Sequence, residues 1–72
     1  SDMREIVAEL RKVYVPGTKV MLDRMVDEPN KEMVSGLTGV VTGVDDSGSI
    51  HVKWENGSSL AVLYKVDACH II

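Results

Sequence analysis

The run Ile50-His51-Val52-Lys53-Trp54-Glu55, followed by Asn56-Gly57, constrains this chain more than any other segment. Ile50, Val52 and Trp54 alternate with His51, Lys53 and Glu55, the two-residue period of a half-buried strand. Asn-Gly after such a strand is a strong hairpin signal and predicts a type I′ turn. Ser59 to Leu63 then reads as the return strand, with Leu60 and Val62 inward. Upstream, Thr38 to Asp45 is the preceding strand, and Asp45-Asp46-Ser47-Gly48 supplies its turn. Strict alternation would separate Val41 from Val44. A one-residue bulge near Gly43 brings both to one face and coils the strand, and the glycines favour the bulge.

The remainder of the chain is organised around this meander. Residues 2–14 predict an amphipathic helix, with Met3, Ile6, Val7, Leu10, Val13 and Tyr14 on one face and Arg4, Glu5, Glu9, Arg11 and Lys12 on the other. Asp2 and Glu5 have capping-box spacing, although Ser1-Asp2 before Met3 reads as an expression scar. Val15-Pro16-Gly17 stops the helix. Lys19 to Val26 predicts the first strand, with Val20 and Leu22 inward. Residues 27–36 form a long, polar, proline-broken connection. Tyr64 to Asp67 predicts a helical turn, and Ala68 to Ile72 a short last strand. The resulting expectation is a mainly β, five-stranded SH3-like small barrel over 19–72 with an N-terminal helix over 2–14, in one domain over 1–72. Closing the sheet lets five short strands share one core and removes most free edges.

At 72 residues the chain is near the lower size at which a single core suffices. Apolar residues make up 44% and charged residues 26%, a globular balance rather than a disordered one. The net charge is −3, and Arg4, Arg11, Lys12, Lys19, Arg24, Lys31, Lys53 and Lys65 are scattered among acids. That disfavours duplex nucleic acid, whose binders draw affinity from basic excess. The single cysteine, Cys69, permits no internal disulfide and fits a reducing cytoplasm. No apolar run is long enough for a membrane span.

Several segments together carry a resemblance. They are Pro16-Gly17-Thr18-Lys19-Val20, then Gly39-Val40-Val41-Thr42-Gly43-Val44-Asp45-Asp46, then Ile50 through Leu60, then Val66-Asp67. Over about residues 13–72 the chain resembles a small bacterial and phage family of unknown function, domain of unknown function 4314. More loosely, Gly-x-Val followed by Val-x-Trp-x-x-Gly is similar to SH3-like modules such as the Mind-bomb type of interaction domain. The resemblance implies an SH3-like fold and an origin in phages, mobile elements or their bacterial hosts. It implies no catalytic residues. Family members tend to carry Pro-Gly before the Val-Asp pair, where this chain has Tyr64-Lys65.

No set of residues spells out a reaction. Cys69 and His70 are neighbours on a strand and point to opposite faces, so they do not make a nucleophile and base. His51 with Asp45 or Asp46 is too sparse for zinc, and the Asp45 turn lacks the later ligands of a calcium loop. No cofactor and no metal are expected. Trp54, Tyr14 and Tyr64, with no Phe, are too few for a polyproline groove. The expected function is a non-enzymatic protein-interaction module. Its candidate contact residues are Arg24, Asp27, Glu28, His51, Lys53 and Glu55. The alternatives are nucleic-acid binding through Lys19, Arg24, Lys53 and Lys65, or inhibition of a host nuclease or defence complex through Asp27, Glu28, Glu32, Asp45 and Asp46. The helix face Met3, Ile6, Val7 and Leu10 is expected either to pack on its own chain or to form a homodimer.

Overall fold

The computed structural model describes residues 2–26 and 32–72. Helix α1 (Met3–Val13) precedes four strands, β1 (Lys19–Arg24), β2 (Thr38–Val44), β3 (Ile50–Trp54) and β4 (Ala68–Ile71). All neighbours are antiparallel, in the order β3-β2-β1-β4. The sheet is open, with β3 and β4 at opposite edges. The expected five-stranded SH3-like barrel is therefore corrected to a four-stranded open sheet with a helix on one face.

The physical reason lies in the segment after the Asn56-Gly57 turn. Trp54 and Ser58 pair, with Trp54 N donating to Ser58 O at 2.9 Å, and Ile50 and Val62 pair at 2.9 and 2.8 Å. A continuing ladder would pair Val52 with Leu60 between them. Side chains take that place. The indole Nε1 of Trp54 donates to Leu60 O at 2.9 Å, and Leu60 N donates to Ser58 Oγ at 3.2 Å. Local side-chain bonds thus displace the ladder, and the predicted strand over Ser59–Leu63 shrinks to the single Ile50–Val62 bridge. Leu60 and Val62 still turn inward as expected.

Both β-hairpin turns share one geometry. Gly57 N donates to Trp54 O, and Gly48 N to Asp45 O, each at 3.0 Å. Gly48 and Gly57 hold positive φ, whereas Asn56 does not. These are three-residue loops with a glycine in the left-handed position, so the predicted type I′ turn at Asn56-Gly57 is corrected. Asn56 instead uses its side chain, accepting from Ser58 N at 3.0 Å and donating to Glu32 O at 3.3 Å.

The bulge is present. The β2–β3 register shifts between Val41 and Gly43, and Val41 and Val44 are both buried. The core on the covered face comprises Val20, Leu22, Val41, Val44, Ile50, Val52, Trp54 and Val62, with Val7 from the helix and Met33 from the β1–β2 connection. Each full burial of a Val, Leu or Ile contributes roughly 1.5–3 kcal/mol. Gly39 is opposite Trp54. A Cβ there would come within 2.8 Å of the indole, 2.8 Å of Lys53 O and 2.6 Å of a Val52 methyl.

Helix α1 is capped by Asp2, whose carboxylate accepts from Arg4 N at 2.9 Å. It lies over β2 and the β2–β3 turn, packing Met3, Val7, Leu10 and Tyr14 against the core. Met3 and Leu10 close over Gly48, where an added Cβ would stand 3.0 Å from the Met3 methyl and 3.5 Å from Leu10. Arg11 fastens the far side through Val44 O at 3.0 Å and Asp46 at 3.1 Å. The helix thus packs on its own sheet. Of the four residues expected on a dimer surface, Met3 and Val7 turn inward, Leu10 is shared, and Ile6 stays outside.

Two stability outcomes follow. Gly39→Ala is expected to lower stability by about 1–3 kcal/mol, because rigid backbone and indole must yield; urea unfolding measures it. Lys65 has φ 62, alone among the described non-glycine residues in holding a positive φ. Lys65→Gly is expected to raise stability by up to about 1 kcal/mol in the same assay, by releasing left-handed strain.

Candidate functional site

Because α1 covers one face, the alternation of the strands leaves the opposite face bare. Lys19, Met21 and Asp23 of β1, Thr38 and Val40 of β2, His51 and Lys53 of β3, and His70 of β4 share it, as the pairings Lys19–Val40–Lys53 and Thr38–Met21–His70 require. Near the end of the sheet marked by Lys19, a small depression of about 80 Å³ is lined by Lys19, Thr38, Val40, Lys53, Glu55 and Ile72. Its apolar members are open to solvent, Val40 at 38% and Ile72 at 55% exposure.

The structure separates the predicted contact residues. Lys53 and Glu55 meet at this depression, and Glu55 is held there by its N–H donating to Thr38 O at 3.0 Å. His51 lies two residues along β3, its Nε2 2.8 Å from Asp45 Oδ2. Arg24 is five positions from Lys19 along β1, roughly 17 Å away. Its Nε donates to Val66 O at 3.3 Å. Asp27 and Glu28 lie outside the described residues.

Ionisable side chains on and beside this face are engaged in local pairs. Asp45 Oδ1 accepts from Ser47 N, Ser47 Oγ and Ser49 N, and Oδ2 faces His51. These bonds, with Ser47 first and His51 next, hold its carboxyl well below the usual carboxylate range. The carboxylate is thus committed to the turn. A second pair of the same kind joins His70 Nδ1 to Asp23 Oδ1 at 2.7 Å. Among the described residues, no three His, Cys, Asp or Glu side chains gather to hold a metal ion. Cys69 packs against the core on the covered face, opposite Leu22, while His70 points outward. Burial, then the charge of Asp23, pushes the Cys69 thiol up to about 11.

Three features escaped the sequence. Met33, placed in a loop, is a core residue at 5% exposure. Asp67 is a clasp, accepting from Val26 N at 2.8 Å and Leu63 N at 3.0 Å. The third is a shallow groove of about 420 Å³ beside α1, walled by Ile6, Leu10 and Val13 on the helix and by Tyr64, with Glu5 and Glu9 at its rim. Helical periodicity placed Ile6 and Val13 with the inward residues. Only packing shows that they sit at the edge of that face.

The raised thiol gives a pH outcome. The folded chain holds the Cys69 proton to about 11, against an ordinary value of 9.0. The contribution is therefore full below pH ~9 and is lost as pH rises through ~11. Stability is expected to fall across that window in wild type and to fall less in Cys69→Ala, read by thermal unfolding. Iodoacetamide is expected to alkylate native Cys69 at neutral pH far more slowly than the urea-unfolded chain.

Among the described residues, no helix is long and apolar enough to cross a membrane. Neither the curated proteins nor the solved structures yielded a match to this chain. A family model described as a domain of unknown function, DUF4314, matches residues 3–72, and the chain belongs to that family.

Proposed function

We propose that the domain is a non-enzymatic protein-interaction module that engages its partner through the uncovered face of the sheet. The observation that carries this reading is the exposed Val40 and Ile72 framed by Lys19, Lys53 and Glu55. An apolar centre within a rim of mixed charge is the anatomy of a protein–protein contact. Lys53 and Glu55 are the primary contact residues, with His51 beside them. Arg24 belongs to a separate part of the surface.

The two alternatives draw less from the geometry. Of the four cations available to nucleic acid, Lys19 and Lys53 meet at one end, while Arg24 lies near the Val66 turn with Lys65. Asp23 and Glu55 interrupt any basic stripe. An acidic decoy would need Asp45, whose oxygens are occupied by its own turn.

The test is affinity capture from cells of the source organism, followed by reconstitution of binding with the purified partner. Val40→Asp and Lys53→Glu are expected to weaken that complex about tenfold or more, whereas Val34→Asp, away from the depression, leaves it intact. Equal binding by all three variants would rule out this face. The reading also expects no duplex DNA binding at low salt. Binding that falls steeply with added salt would favour the nucleic-acid alternative.

A further inference from the structure

The groove beside α1 lies on a different surface from the depression on the sheet and is not used by the reading above. Val13 is 50% exposed, and with Ile6 it forms an apolar ridge that the chain's own sheet does not cover. Successive helical residues step by 100°. Ile6 and Val13 are seven apart and so lie nearly one above the other, with Leu10 and Tyr64 on one side. Glu5, Glu9 and Lys12 fall on the other side, Lys12 Nζ standing 3.3 Å from Glu9 Oε1. Acids thus occupy the N-terminal half of this flank and a base the C-terminal half.

We infer that a second copy of this chain seats on the groove, packing α1 antiparallel against α1 about a two-fold axis. The charge order selects this occupant. Antiparallel pairing sets Ile6 of each copy against Val13 of the other and brings each Lys12 between the other copy's Glu5 and Glu9. A parallel two-fold pairing carries the charged flanks of the two copies to opposite sides of the seam, where Glu5, Glu9 and Lys12 of one copy meet the Leu10 and Tyr64 flank of the other and find no opposite charge. The Lys12–Glu9 pair within one helix is solvent-exposed and therefore weak enough to exchange for the contact between copies. An isologous contact also closes on itself and leaves no apolar patch to propagate. Both copies keep the bare face of the sheet.

Sedimentation equilibrium with the full chain tests this, with helix content checked by circular dichroism. Wild type is expected to show a reversible monomer–dimer equilibrium. Val13→Asp, at an exposed position, is expected to raise the dissociation constant at least about tenfold while the monomer stays folded. Lys12→Glu and the double variant Glu5→Lys/Glu9→Lys each set like charges against like. Each is expected to dimerise more weakly alone, and the two mixed are expected to form a heterodimer. A wild type that stays monomeric up to about 1 mM would overturn the inference, as would a dimer indifferent to Val13→Asp. Failure of the two charge variants to associate when mixed would overturn the antiparallel arrangement.

Discussion

The indole of Trp54 is the contact on which the rest of this structure depends. Its ring occupies the space left by Gly39 on β2, which sets how closely β3 can approach β2. Its Nε1 donates to Leu60 O, where a ladder would have used the Val52 amide. At 2% exposure Trp54 is a core residue. A buried indole N–H needs an acceptor, and meeting that need redirects the main chain after the second turn. One side chain therefore packs the sheet and keeps it from gaining a fifth strand.

The open architecture follows from that substitution. With the segment after Ser58 folded over the end of the core, only α1 and the flanking turns cover the inner face. A chain this small needs that burial, which explains why the helix is bound three ways, by Val7 in the core, by Met3 and Leu10 over Gly48, and by Arg11 on Val44 O. The outer face stays available, and its polar residues are ordered by pairs such as His51–Asp45 and His70–Asp23. Two distinct surfaces result, a mixed depression on the sheet and an apolar groove beside the helix.

Local pattern was legible in the sequence and closure was not. The alternation of Ile50, Val52 and Trp54, the bulge near Gly43, the helix and its Pro16-Gly17 stop all appear as expected. Each rests on residues within a few positions of one another, where periodicity and turn chemistry act. The barrel failed because Ser58 and Trp54 satisfy Leu60 by side-chain bonds, and nothing in an apparently regular strand pattern announces that competition. Met33 and Asp67 were missed for a related reason: their partners, the core and the residues at 26 and 63, are distant in sequence. Of the predicted contact residues, Lys53 and Glu55 converge because the strand and its turn are local, whereas Arg24 is carried away along β1.

Amide hydrogen exchange at Val52 tests the central claim most directly. Alternation along β3 points the Val52 amide to the same edge as Ile50 N and Trp54 N, which donate to Val62 O and Ser58 O, whereas Leu60 O, its partner in a continuous ladder, accepts from the Trp54 indole. If the Trp54 indole has displaced the ladder, the Val52 amide will exchange on the order of a hundredfold faster than those of Ile50 and Trp54. Equal protection of all three amides, with a Val52–Leu60 hydrogen bond seen by NMR, would mean a continuous fifth strand and would contradict the account.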